Sequence, residues 1–266
     1  MRFEKWQALG NDYVVVEESA LTEPLGPERI RALCAPHTGI GADGILLLGR
    51  AGERGFVARL RIFNPDGSEA ELSGNGAREA CLYLRRRGWI DADSFSIETA
   101  AGEVRARITG DWTCRLDVGR ARLEGEGEVE VDGRWWRFRH LSMGNPQTPI
   151  RTASVDELVG LNLGLLGPPI ETDPRFPGRT NVSFWAELAP GRIRARIWER
   201  GVGETASSGT GACGAAVDHV VRGGDSPVTV VLDGGELTVD VSDGLHVDLT
   251  GWAVPVFAGT LAEGAP

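Results

Sequence analysis

Short apolar runs separated by turn residues fill most of the chain, and they carry two periods. Over residues 193–198, Ile193, Ala195 and Ile197 fall on one side and Arg194 and Arg196 on the other, the spacing of a half-buried strand. Residues 58–63 read likewise, and the apolar segments 44–48 and 181–186 read as buried strands. Residues 6–11 and 136–145 read as strands that run into a Gly-Asn pair. Helical signals fall at 27–34, 155–163, 76–87 and 211–221. The third stops at Gly88 and the fourth at Gly223-Gly224, as helices prefer. Residues 95–99, 104–109 and 113–118 predict one set of hairpin strands. Residues 228–232, 237–241 and 245–249 predict a second, with the turn dipeptide Asp243-Gly244. A final strand is expected at 252–257.

These elements come in the same order twice. Ser73-Gly74-Asn75-Gly76-Ala77 and Ser208-Gly209-Thr210-Gly211-Ala212 stand 135 residues apart, and Arg61-Ile62-Phe63-Asn64 stands at the same distance from Arg196-Ile197-Trp198-Glu199. Gly10-Asn11 precedes Gly144-Asn145 by 134 residues, and Ala101-Gly102-Glu103 precedes Gly234-Gly235-Glu236 by 133. Four matches in one order, drifting by two residues, describe a duplication. The predicted fold class is α/β (α+β): two pseudo-symmetric domains, each a mostly antiparallel β structure around a central helix. The second helix carries small side chains (Ala212, Gly214, Ala215, Ala216) and is expected to be packed closely inside a ring of strands. The expected division is residues 1–119 and 120–266, with a linker near 119–127. The last strand, about 252–260, has no counterpart in the repeat and could pack on the first half.

Composition narrows the function. A chain of 266 residues, 41% of them hydrophobic, can fill two cores of about 130 residues each. The net charge of −10 argues against a nucleic-acid partner, which needs a basic face. Cys34, Cys81, Cys114 and Cys213 are scattered, with no spacing that suggests zinc or a disulfide framework, which fits a reducing compartment. The N-terminus has no apolar signal region and no run approaches about 18 apolar residues, so a cytoplasmic protein with no membrane partner is expected.

The repeated Ser-Gly-x-Gly segment is the candidate chemistry. It reads as a glycine turn with φ > 0 feeding a helix, whose unpaired amides and dipole would hold a carboxylate. Serine there is also a good N-cap, and either copy alone reads as one. Two copies predict a site of two facing halves, with Ser73 and Ser208 as paired proton handlers for racemisation or epimerisation of an amino acid. A hydroxyl needs an adjacent base for such work, and Glu199 is the candidate. Cys81 and Cys213 lie inside the helices and read as core; the four histidines have no ligand spacing. Gly209-x-Gly211-x-x-Gly214 fits a dinucleotide fingerprint, but no strand runs straight into it, and that reading is set aside.

Over nearly its whole length the chain resembles the diaminopimelate epimerases. The motifs are Leu9-Gly10-Asn11-Asp12, Gly39-Ile40-Gly41-Ala42-Asp43-Gly44, Phe63-Asn64-Pro65-Asp66-Gly67-Ser68, Gly74-Asn75-Gly76-Ala77-Arg78, Gly144-Asn145-Pro146, Asn181-Val182, Glu199-Arg200-Gly201-Val202-Gly203-Glu204-Thr205 and Gly209-Thr210-Gly211-Ala212-Cys213. The resemblance implies a pyridoxal-independent, metal-free isomerase with no cofactor, usually a homodimer. Its small-molecule substrate would be an amino acid, by default LL-/meso-diaminopimelate for lysine and cell-wall synthesis. It also implies substrate contacts at Asn11, Asn64, Gly74, Asn75, Asn145, Asn181, Glu199, Arg200, Gly209 and Thr210. The family's paired cysteines are Ser73 and Ser208 here, its histidine after Gly-Asn-Pro is Gln147, and the glutamine often found after Gly-Ala-Asp is Gly44. Three readings of the serine pair stand open at this point: a serine-using isomerase, a relative that binds without catalysing, and a trapping variant of a cysteine enzyme.

Overall fold

A computed structural model of the protein describes residues 1–262. In chain order the elements are β1 (Arg2–Ala8), β2 (Asn11–Glu17), α1 (Pro27–Cys34), β3 (Ile45–Gly49), β4 (Arg59–Phe63), β5 (Glu69–Ala70), α2 (Gly74–Arg86), β6 (Ser94–Thr99), β7 (Gly102–Gly110) and β8 (Thr113–Arg120). There follow β9 (Arg122–Val131), β10 (Arg134–Ser142), β11 (Pro146–Arg151), α3 (Val155–Gly160), α4 (Leu163–Glu171), β12 (Asn181–Ala189), β13 (Arg192–Glu199) and β14 (Gly203–Thr205). The chain continues with α5 (Gly209–Val221), β15 (Val228–Leu232), β16 (Gly235–Ser242), β17 (His246–Trp252) and β18 (Val254–Thr260). Two compact units result: Met1–Leu116 with the residues from Gly251 on, and Asp117–Thr250. Residues 263–266, the end of the expected second half, lie outside the described residues.

The first unit pairs β1 antiparallel with both β18 and β2, then β2 parallel with β3 and β3 antiparallel with β4. From β4 it continues antiparallel to β5 and parallel to β6, then antiparallel through β7 to β8. The second unit repeats this plan. β10 pairs antiparallel with β9 and β11, β11 parallel with β12, and β12 antiparallel with β13. β13 pairs antiparallel with β14 and parallel with β15, and β16 and β17 complete the series antiparallel. Even the two parallel pairings recur at matching places. β18 stands beside β1 as β9 stands beside β10, so the strand without a sequence counterpart fills the position that β9 fills in the other unit.

Each unit wraps its long helix. α2 packs on β1, β2, β3, β4 and β7; α5 packs on β10, β11, β12, β13, β15 and β16. Ala212, Cys213, Ala215, Ala216 and Val217 are fully buried, so the small side chains of α5 let the strands close around it. On the other sheet face, α1 covers Val14, Val16, Ile45 and Leu47 with Ile30 and Leu33, while α3 and α4 cover Ile150, Val182 and Phe184.

Three expectations needed correction. The stretch 119–127 is not a linker but lies largely within β8 and β9; Gly125 stands where the ladder is irregular, with a register shift between His140 and Leu141 on the partner strand. The expected strand 6–11 is the first arm of a hairpin. β1 ends at Ala8, Leu9 and Gly10 turn with φ of 55° and 82°, and Asn11 opens β2. The helix expected at 155–163 is two helices, α3 and α4. α4 contains Pro168 and Pro169, and also Gly167, whose missing side chain admits Trp198: a Cβ there would lie 2.3 Å from the indole Cδ2.

One buried carboxylate ties α5 to its sheet. Asp218 is fully buried and accepts hydrogen bonds from Arg139 of β10 (2.7 Å), the Trp185 indole of β12 (2.9 Å) and Arg222 (3.0 Å). Removing it leaves the Trp185 indole without its acceptor and the buried Arg139 with only the exposed Glu126, and breaking a buried pair in this way costs up to about 3–5 kcal/mol. Asp218→Ala is therefore expected to lower the unfolding free energy by about that amount in a urea titration. A loss below about 1 kcal/mol would mean that the network does not hold the helix.

Candidate functional site

The two Ser-Gly-x-Gly segments have one geometry. Ser73 and Ser208 are the N-caps of α2 and α5, extended at φ −132° and −140°. Ser73 Oγ accepts from Gly76 N at 3.1 Å, and Ser208 Oγ accepts from Gly211 N at 3.3 Å. The capping function is thus real at both. The glycines do not work as expected, however. Gly74, Gly76, Gly209 and Gly211 are absent from the positive-φ residues and belong to the first helical turn. Gly76 and Gly211 are required by close approach instead. A Cβ at Gly76 would lie 2.9 Å from Leu46 Cδ2, and one at Gly211 2.8 Å from Ile197 Cδ1 and 3.2 Å from Ser183 Oγ. A left-handed glycine does occur one element earlier in each copy: Gly10 (φ 82°) and Gly144 (φ 89°) turn the chain so that Asn11 and Asn145 follow directly.

In the first unit the predicted residues form a relay. Asn11 opens β2, and its Nδ2 donates to Asp43 Oδ2 at 2.9 Å. Its Oδ1 accepts from Asn75 Nδ2 at 3.2 Å, and Asn75 Oδ1 in turn accepts from Arg78. Carboxylate and guanidinium fix which end of each amide is which. Gly74 is the first helical residue, beside Ser73, whose Oγ also accepts from Tyr13 Oη at 3.2 Å. Asn64 follows β4 and spends its amide in its own turn, donating to Ser68 Oγ at 2.9 Å.

In the second unit Asn145, Gln147 and Thr210 are mutually bonded. Gln147 Nε2 donates to Asn145 Oδ1 (2.8 Å) and Thr210 Oγ1 (3.1 Å), and Asn145 Nδ2 to the same hydroxyl (3.3 Å). Asn181 Nδ2 donates to Pro146 O at 3.0 Å, and its Oδ1 accepts from Arg200 N at 2.9 Å. Gly209 is the first residue of α5, directly after Ser208. The Arg200 side chain is exposed and reaches Gly178 O at 2.8 Å. Glu199, the candidate base, accepts from Thr205 Oγ1 at 2.7 Å and from the Ser208 hydroxyl. Burial holds its carboxyl above the usual range, and those two hydrogen bonds only partly oppose the rise.

Sequence reasoning passed over the groups that hold these residues. Glu171 of α4 is 3% exposed and accepts from the Trp198 indole (2.7 Å) and from Gly201 N (2.8 Å), with Arg179 as its ion partner. It brackets the Glu199-Arg200 segment from both sides. Thr205, Asp43 and Arg78 lay within the motifs quoted above, but nothing in their spacing shows which side chains they hold.

Comparison with known proteins gives the family. A family model described as diaminopimelate epimerase matches residues 3–124 and 140–254. A diaminopimelate epimerase of Synechococcus sp. (strain JA-3-3Ab) is 39% identical, covering 99% of this chain and 99% of that protein. Another, from Pelotomaculum thermopropionicum, is 40% identical over 97% of this chain and 98% of its own. Among solved structures, a phenazine biosynthesis protein of Bacillus anthracis superposes with a TM-score of 0.74 at 18% identity, covering 98% of this chain and 99% of its own. A hydroxyproline epimerase of Agrobacterium vitis, solved with trans-4-hydroxy-L-proline, superposes with a TM-score of 0.73 at 18% identity, covering 100% and 93%. These last two share the fold.

The raised proton affinity of Glu199 has a consequence for stability. Between the ordinary carboxylate value, about 4, and the raised native one, the folded state binds more protons than the unfolded state. Stability therefore falls as pH rises through that window. Glu199→Gln removes this component. The urea midpoint of the wild type relative to Glu199→Gln should drop between pH 4 and pH 8, and a constant difference would show that Glu199 titrates normally.

Proposed function

Because the chain belongs to the diaminopimelate epimerase family, we propose that it is a cofactor-independent amino-acid epimerase acting on LL-/meso-diaminopimelate by proton transfer at the α-carbon. Ser208 and Ser73 serve as the two proton handlers and Glu199 as the base behind Ser208. The observation that carries the reading is the hydrogen bond from the Ser208 hydroxyl to a partly buried Glu199 whose proton affinity is raised. A lone serine is too weak an acid to serve as a base, whereas a serine that can pass its proton to such a carboxylate is activated. In one direction Ser208 Oγ takes the α-proton as its own proton moves to Glu199. The C–H electron pair stays on the substrate as an enolate-like charge, and Ser73 supplies a proton to complete the inversion.

The remaining site residues bind. The first-turn amides at Gly74, Asn75, Gly209 and Thr210 suit a carboxylate, and the helix dipoles favour the charge that develops. Asn11, Asn64, Asn145 and Asn181 supply neutral donors and acceptors for a zwitterion, and Arg200 supplies a guanidinium for a second carboxylate. The family's homodimer is part of this reading; the exposed Val256 and Phe257 on β18 support a self-association surface. A cytoplasmic location fits four cysteines that are all free.

Incubation with LL- and meso-diaminopimelate in D₂O, followed by NMR, tests the proposal. The wild type should interconvert the isomers with loss of the Cα–H signal. Ser73→Ala and Ser208→Ala should each lower interconversion at least about 100-fold. Tight binding of either isomer with no exchange in the wild type would replace the epimerase by a binding protein. Sedimentation at micromolar concentration should report twice the 28.5 kDa chain mass.

A further inference from the structure

The repeat places different side chains at matching positions around the two serines. Asn11-Asp12-Tyr13 of β2 corresponds to Asn145-Pro146-Gln147 at the start of β11, and Asn64 after β4 corresponds to Glu199 at the end of β13. In the second unit the ionisable residue stands at the end of the fourth strand position, where Glu199 receives the Ser208 hydroxyl. The neutral Gln147 there serves Asn145 and Thr210. In the first unit the arrangement is exchanged. The neutral Asn64 is turned to Ser68, and the ionisable residue stands on β2, where Tyr13 Oη donates to Ser73 Oγ at 3.2 Å.

Tyr13 is held for this contact. Strand alternation puts it on the same face as Asn11, which meets Asn75 of α2, while Val14 and Val16 face the α1 core. Its ring is 6% exposed. Gly44 leaves it room, since a Cβ at Gly44 would lie 2.8 Å from Tyr13 Cε1. Ser73 Oγ accepts from both Tyr13 Oη and Gly76 N, so its lone pairs are engaged and its own proton is free to be given away. Ser208 is wired the other way, donating to a carboxylate.

We propose that Tyr13 is the proton-relay partner of Ser73, giving this chain a serine–tyrosine pair in one half and a serine–glutamate pair in the other. This rests on the epimerase reading above. Tyr13 does not touch the reacting carbon; it acts through Ser73 as a positioning residue that also carries charge. When Ser208 removes the α-proton, its hydroxyl proton goes to Glu199. Ser73 then gives its proton to the carbanion as the phenolic proton of Tyr13 moves to Ser73 Oγ, leaving a tyrosinate. One proton leaves carbon and one returns, and no electron is transferred. The resulting form, with Glu199 protonated and Tyr13 ionised, is the one that runs the opposite direction.

Tyr13→Phe keeps the ring and removes the relay. Interconversion of LL- and meso-diaminopimelate should fall at least about 100-fold. Wash-in of solvent deuterium at Cα without inversion should persist for the isomer whose proton Ser208 takes, and should vanish for the other. A merely structural contact predicts equal loss of both exchanges, and interconversion within about threefold of wild type would likewise overturn the proposal. If Tyr13→Phe fails to fold by circular dichroism, 3-fluorotyrosine at position 13 decides. For the isomer whose proton Ser208 takes, its more acidic phenol should move the alkaline limb of the kcat/KM profile to lower pH, and an unmoved limb overturns the relay. Should the wild type neither exchange nor interconvert either isomer, the epimerase reading falls and the relay with it. If the wild type is active and Tyr13→Phe equally so, only the relay falls.

Discussion

A helix that begins against its own sheet must find partners for its first amides, and this requirement shapes both units. The first-turn N–H groups have no intrahelical acceptors. In each unit one of them is taken by the serine cap, Gly76 N by Ser73 and Gly211 N by Ser208. The helix can sit this deep because its third-position glycine presents no Cβ to Leu46 in one copy, or to Ile197 and Ser183 in the other. The remaining amides and the positive end of the dipole are left for an anion. Each serine hydroxyl therefore caps a helix whose remaining first-turn amides suit an anion.

The chain carries this arrangement twice, and the two copies are unequal. The shared features belong to the backbone: left-handed Gly10 and Gly144, serine caps, two parallel pairings per unit, and an outer strand beside β1 and β10. The differences belong to side chains at matching positions, Tyr13 with Gln147 and Asn64 with Glu199. As a result the two serines have different surroundings: Ser208 donates to the Glu199 carboxylate, whereas Ser73 accepts the Tyr13 hydroxyl.

Buried charge holds the second unit's site in shape. Asp218 fastens α5 to β10 and β12, and Glu171 fastens the segment after β13 through an indole and a backbone amide. Each carboxylate has several donors, the condition under which buried ions are retained without leaving an unpaired charge. The amides of Asn11 and Asn75 are oriented in the same way in the first unit, between Asp43 and Arg78.

The sequence by itself determined the duplication, the order of elements and the family. Those are written in local patterns: a period of two at residues 193–198, Pro27 opening α1, and Ser-Gly-x-Gly opening α2 and α5. It misread what depends on distant neighbours. The single helix read at 155–163 is two, with Gly167 of α4 packed under Trp198, and residues 119–127 looked like a linker until β10 paired along them. The Ser-Gly glycines suggested a left-handed turn, whereas the tertiary structure shows a packing demand from strands remote in sequence. Only the fold could say which side chain stands behind each serine. Tyr13 lies 60 residues from Ser73, and hydrogen bonds across that separation are set by strand register and burial, neither of which a local pattern records.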